Sequence, residues 1–152
     1  MRKVSIVIAV CFVTALALSS TSRSQGQARD LDAIMKEIQQ IWQTPGAGLG
    51  APRAGLSASA PDFAKIARDA ARLQALFTET AAEFTRLKMA EPARIAKSAA
   101  DAAFAAGKEA KTGKMSDPKA SLNAIGQCKV CHDPVTGYRE PDGNGGFKLK
   151  VQ

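Results

Sequence analysis

The chain has 152 residues, a formal net charge of +7, a single histidine and only 5% aromatic residues. That is one domain's worth of polypeptide. Its scattered lysines and few aromatics exclude the basic, aromatic-interleaved surface that nucleic-acid binding requires.

The first element reads as an export signal. Arg2 and Lys3 make a charged start, residues 4–18 form a nearly unbroken apolar run, and small residues over 19–28 offer several cleavage points. Ala17 with Ser19 favours a cut after Ser19, and Gly26 with Ala28 favours one after Ala28. The leader is therefore placed at residues 1–24, with cleavage somewhere in 19–28. Its apolar run is shorter than the ~20 residues a spanning helix needs, so no membrane span is expected after processing. Removal takes away Arg2, Lys3 and Arg23 and no acid, which lowers +7 by three to +4. The mature chain is only mildly basic, with a soft preference for acidic partners.

Four helical segments follow over residues 29–132. The first, from about Asp30 to Trp42, repeats Leu31, Met35, Ile38 and Trp42 on one stripe and stops at Thr44, Pro45 and Gly46. The stretch 44–60 is rich in Gly, Pro and Ala, and its length suits a crossover better than a tight hairpin. The second helix starts after Pro61 and has the clearest pattern: Phe63, Ile66, Ala70, Leu73, Phe77, Phe84 and Leu87, with Thr80 filling the one gap in an alternating three-four spacing. Lys65, Asp69, Arg72, Glu79, Glu83 and Arg86 line its opposite side.

The third helix is expected to open at Glu91 and Pro92 and to end near Gly113, with Lys108 and Lys111 at its negative end. Its inner face reads as Ile95, Ala99, Ala102 and Ala106, small side chains that allow close helix approach or leave room for a bulky group. The fourth is capped by Asp117 with Pro118 behind it, and runs through Leu122, Ile125 and Cys128 to His132 before Asp133 and Pro134 end it. The remaining tail, 133–152, has turn signals over 141–146, after which Phe147, Lys148, Leu149, Lys150 and Val151 alternate apolar with basic, as in an extended segment. The expected fold is all-α, an antiparallel four-helix bundle.

Chemistry concentrates at the end of the fourth helix. Cys128, Lys129, Val130, Cys131 and His132 spell C-x-x-C-H, the attachment site of a c-type haem. Two thiols at this spacing each add to one haem vinyl group, while the adjoining imidazole ligates the iron. On a helix, Cys128 lies three residues before Cys131 and four before His132, so all three share a face. A zinc site would need further Cys or His ligands, yet His132 is the only histidine and the third cysteine, Cys11, lies in the leader. A thioredoxin-like pair expects a strand-to-helix setting that this chain lacks. A Cys128–Cys131 disulfide would mark an immature form. Covalent haem attachment takes place outside the bacterial cytoplasm, so motif and leader agree on an exported, periplasmic protein.

A leader, four amphipathic helices and C-x-x-C-H on the last of them resemble the class II c-type cytochromes, meaning cytochrome c-prime and its low-spin relatives. The resemblance covers essentially the whole mature chain. Class I cytochromes c carry the motif near the start with the methionine ligand after it, and no methionine follows His132. The resemblance implies one haem c held by Cys128 and Cys131, with His132 as axial ligand, and homodimers occur in this family.

No second histidine is available as the sixth ligand, and a methionine thioether is the natural strong-field alternative. Met115 would start about 25 Å from His132 along a continuous helix, on the wrong side of the ring. Met89 falls at the end of the second helix, off its apolar stripe. Met35 is on the inward stripe of the first helix, where low-spin members of the family carry their ligand, and the resemblance therefore implies Met35. The family's arginine four residues after the motif histidine is Thr136 here, and Arg139 follows a short insertion. The expected function is single-electron transfer between redox partners rather than enzymatic catalysis, since the distal stripe of Leu31, Ile38 and Trp42 offers little acid-base equipment. The alternative is a five-coordinate, gas-binding protein like cytochrome c-prime.

Overall fold

The computed structural model describes residues 30–45, 48–51, 55–132, 137–141, 143 and 147–149. The expected leader, residues 1–24, lies outside the described residues, as do Thr136 and Val151. The described part is mostly helical and compatible with an all-α fold: α1 is Leu31–Gln43, α2 Phe63–Arg86, α3 Ala90–Ala110, α4 Pro118–Ile125 and α5 Cys128–His132. Two three-residue strands, β1 Arg139–Pro141 and β2 Phe147–Leu149, pair antiparallel in the tail. Among the described tail residues, the first three of the alternating segment, Phe147–Leu149, are extended and pair with Arg139–Pro141. No helix among the described residues is long and apolar enough to cross a membrane.

Three helices begin on an aspartate that satisfies one of the orphan N–H groups of the first turn. Asp30 accepts from the Asp32 N–H at 3.2 Å, Asp62 from Lys65 at 2.9 Å and Asp117 from Ala120 at 2.8 Å. Pro118 sits at the start of α4, where its missing N–H costs nothing. The α2–α3 turn is tight enough to put Lys88 in the left-handed region, at φ 60°.

Antiparallel packing of α2 on α3 dominates the interior. A β-carbon built on Gly107, near the end of α3, would stand 3.3 Å from that of Ala70, near the start of α2. At the other end Phe84 packs with Met89 and Ala96. The buried face of α2 is the middle of the expected stripe, Ile66 to Phe84, with Ala67 and Leu76 added, while Phe63 and Leu87 at its ends are only partly buried. That of α3 is wider than expected: Ile95, Ala96, Ala99, Ala100, Ala103, Ala106, Gly107 and Ala110 are buried, while Ala102 is only partly so. Because α3 packs against both α2 and α4, it buries two adjacent stripes, and a one-stripe reading picks the wrong alanine.

Helix α1 runs antiparallel to α2. Leu31 packs at the Phe84 end, and further along α1 Glu37 accepts two hydrogen bonds from Arg72, from Nε at 2.6 Å and from Nη2 at 2.9 Å. Its most buried residues are Ile34 and Ile38, so the helix is rolled relative to the stripe read from the sequence. The connection after α1 is no crossover, because it joins neighbouring antiparallel helices. It turns back on α1, with the Leu49 N–H donating to the Ile41 carbonyl and Gly50 to that of Trp42, and it drives Leu49 and Leu56 into the core at 1% exposure each. Burial of those two leucines gives an apparent linker the role of a wall.

The expected single helix from Asp117 to His132 is broken. α4 ends at Ile125, Gly126 caps it with its N–H on the Leu122 carbonyl, and α5 restarts at Cys128 after Gln127. Glycine holds a helix poorly, and a β-carbon here would stand 3.0 Å from the Leu122 carbonyl oxygen, with the Trp42 ring at ordinary contact distance, 3.5 Å.

Candidate functional site

Between the C-terminal half of α2 and the N-terminal half of α3, a small apolar cleft opens against α1 and α5. Its walls are Phe77, Thr80 and Phe84 from α2, with Pro92, Ile95, Ala96 and Ala99 from α3. Met35 of α1 lines it too, as do Cys131 and His132 of α5. The inner face of α3 leaves room here because Ala96 and Ala99 stand opposite the large rings of α2.

The motif residues occupy different depths. Cys131 is buried at 9% exposure and His132 is exposed at the mouth. The Cys131 carbonyl accepts from the Tyr138 N–H at 3.0 Å, which ties the chain after the motif back onto α5. The side chain of Tyr138 packs on the cluster of Phe84, Met89 and Ala96, beside the cleft. Cys128 is within the α5 backbone, so it keeps the expected one-turn relation to Cys131 and His132, but its side chain lies outside the described part, as does that of Arg139.

Of the three methionines after the leader, the cleft takes Met35 alone. Met89 is buried in the Phe84–Ala96 cluster, and Met115 packs against the main core. The distance argument against Met115 assumed a continuous helix and loses its footing with the break at Gly126, yet Met115 still lies away from the cleft. The expected distal stripe of Leu31, Ile38 and Trp42 needs correcting: none of them lines the cleft, whose walls come from α2 and α3. Leu31 joins the smaller cluster while Ile38 and Trp42 join the main core. The roll of α1 turns Ile34 and Ile38 into the core and leaves Met35 at the stripe's edge, facing the cleft.

Thr80 is the one buried polar residue among the described core residues, at 1% exposure. Its hydroxyl donates to the Leu76 carbonyl at 2.9 Å, so the cleft wall holds no unsatisfied donor there. The sequence showed Thr80 only as a gap in the apolar stripe. Pro92 was read as a helix starter and not as a wall residue.

Among the described residues no three His, Cys, Asp or Glu side chains converge as a self-sufficient metal site. A porphyrin supplies the equatorial ligands itself and asks the chain only for axial ones. The donor set at this cleft is an imidazole and a thiol on one element and a thioether on another, around apolar walls. That set fits a haem. Comparisons with protein-family models, with curated proteins and with solved structures match nothing.

Proposed function

We propose that this protein is an exported monohaem c-type cytochrome of the class II kind, an antiparallel four-helix bundle that passes single electrons between periplasmic redox partners. The observation that carries the reading is the convergence of Met35, Cys131 and His132 on one apolar cleft. C-x-x-C-H alone could stand anywhere. A thioether facing the same cleft from α1 is what a six-coordinate haem with one histidine ligand requires.

Bound in the cleft, the haem supplies the one-electron couple. Cys128 and Cys131 would hold it through thioethers, so that the group would stay with the chain at any dilution. His132 would offer its imidazole and Met35 its sulfur to the iron. The phenylalanines of α2 and the alanines of α3 exclude water from the site, and a low surrounding dielectric is one of the protein's levers on the potential. An electron carrier needs no substrate pocket, so no enzymatic step is assigned. The mildly basic mature chain suits acidic docking partners.

The visible spectrum of exported protein, oxidised and reduced, tests this reading. Low-spin ferric haem with a sulfur-to-iron band toward the red is expected, and that band disappears in Met35→Ala. Cys128→Ser with Cys131→Ser is expected to leave no haem in the pellet after acid-acetone extraction. A wild type that is high-spin and takes up carbon monoxide readily when reduced would establish the gas-binding alternative instead. A bare polypeptide in mass spectrometry of exported material would sink both.

A further inference from the structure

Trp42 stands between two glycines. A β-carbon on Gly50 would lie 2.4 Å from its Cε2 and 2.6 Å from its Nε1, and one on Gly126 would lie 3.5 Å from its Cζ2. Gly50 belongs to the returning segment after α1, whose N–H also donates to the Trp42 carbonyl at 2.9 Å. Gly126 is the joint at which α4 stops and from which α5 departs. The indole thus packs directly on the segment that closes α1, and its Cζ2 edge lies beside the joint between α4 and α5.

Met35 and Trp42 are seven residues apart on α1, two helical turns, and so share a face. Whatever holds the indole fixes the roll of α1, and the roll of α1 decides whether the thioether faces the cleft. Beside Gly126, the indole also bounds the joint after which Cys131 and His132 reach the cleft. Resting on the haem reading above, we infer that Trp42 is a positioning residue for the iron site: its packing on Gly50, beside the Gly126 joint, keeps Met35 and His132 lining the same cleft. It touches neither the cleft nor the reacting atoms and acts through the two helices it joins.

The test compares Trp42→Leu with Gly50→Ala. The first removes the wedge; the second keeps the tryptophan but forces its ring to move, and it decides the question if Trp42→Leu does not fold. Phe104→Leu, at a half-exposed position on α3, is the control. Covalent haem per chain is measured together with the carbon monoxide affinity of the reduced protein. Carbon monoxide competes with Met35, so a loosened thioether raises its apparent affinity in proportion to the ligand-free fraction. Both variants are expected to keep a full complement of haem and to bind carbon monoxide about tenfold or more tightly, with Phe104→Leu within about twofold of wild type. Full haem content with wild-type affinity in both variants overturns the inference and leaves the haem reading standing. A wild type that already has the open, high-spin site overturns it too, and a wild type without haem removes the reading on which it rests.

Discussion

The α2–α3 pair uses small residues in two opposite ways along one interface. At the end that holds Ala70 and Gly107, small faces small, the backbones close in, and Ala103 and Ala106 are sealed at 0% and 1% exposure. At the end that holds Phe84 and Ala96, large faces small, and with Met35 and α5 as the remaining walls the same helices enclose a cleft. Alanine is therefore neither a sign of tight packing nor of an open site by itself. What stands across from it decides.

The largest effect that separates the two ends is overpacking. In a Cys128→Ser, Cys131→Ser background, where no haem is attached, Ala103→Leu is expected to cost about 1–3 kcal/mol because the sealed end has no space for added methyl groups. Ala96→Leu in the same background should change stability by less than ~1 kcal/mol, since its new atoms enter the cleft. With the cysteines restored, Ala96→Leu should lose most of its haem. Urea unfolding followed by circular dichroism, with haem content measured alongside, checks both halves. Equal destabilisation by the two leucines would erase the distinction between the ends.

A smaller effect concerns the turn that joins α2 to α3 beside the cleft. Lys88 holds φ 60°, a left-handed conformation that L side chains adopt at a cost. Lys88→Gly relieves that cost and gives back some chain entropy to the unfolded state, for a net gain of about 0.5–1 kcal/mol. An unchanged or lower unfolding midpoint would show that the turn is not strained in this sense.

The smallest effect is electrostatic. The Glu83 carboxyl is held below the ordinary carboxylate range by its hydrogen bonds from Arg86, and that of Glu91 by those from Arg94. A carboxyl with a lowered folded value adds stability that is fully present above its unfolded value of ~4.3 and is lost as pH falls through the folded value. Both pairs are exposed and screened, so the effect is slight. The unfolding midpoint should stay level near neutrality and decline below about pH 4, a decline that Glu83→Gln with Glu91→Gln makes shallower.

Legibility varied along the chain for physical reasons. The aspartate caps, the α2 stripe and the start of α4 could be read because capping and periodicity are local. The break at Gly126 could not, since an isolated glycine inside an apolar-periodic run is compatible with a continuing helix. Leu49 and Leu56 were hidden in a stretch whose Gly and Pro content reads as linker. Met35 was reached by counting the remaining ligands and by the family resemblance, while its place in the cleft came from the roll of α1 against α2. Phe84 and Pro92 joined the walls because antiparallel packing brings the end of one helix to the start of the next.

The amino-acid order by itself determined which segments are helical, which residues carry thiol, imidazole and thioether chemistry, and the one-turn spacing of the motif, because each of these is set within a few bonds of backbone. Only the tertiary structure decided that α1 turns its methionine toward the motif, that α5 is separated from α4 at Gly126, and that large and small side chains meet at one end and not the other. Those outcomes depend on contacts between residues far apart in the chain, and no local pattern encodes which partner a side chain will meet.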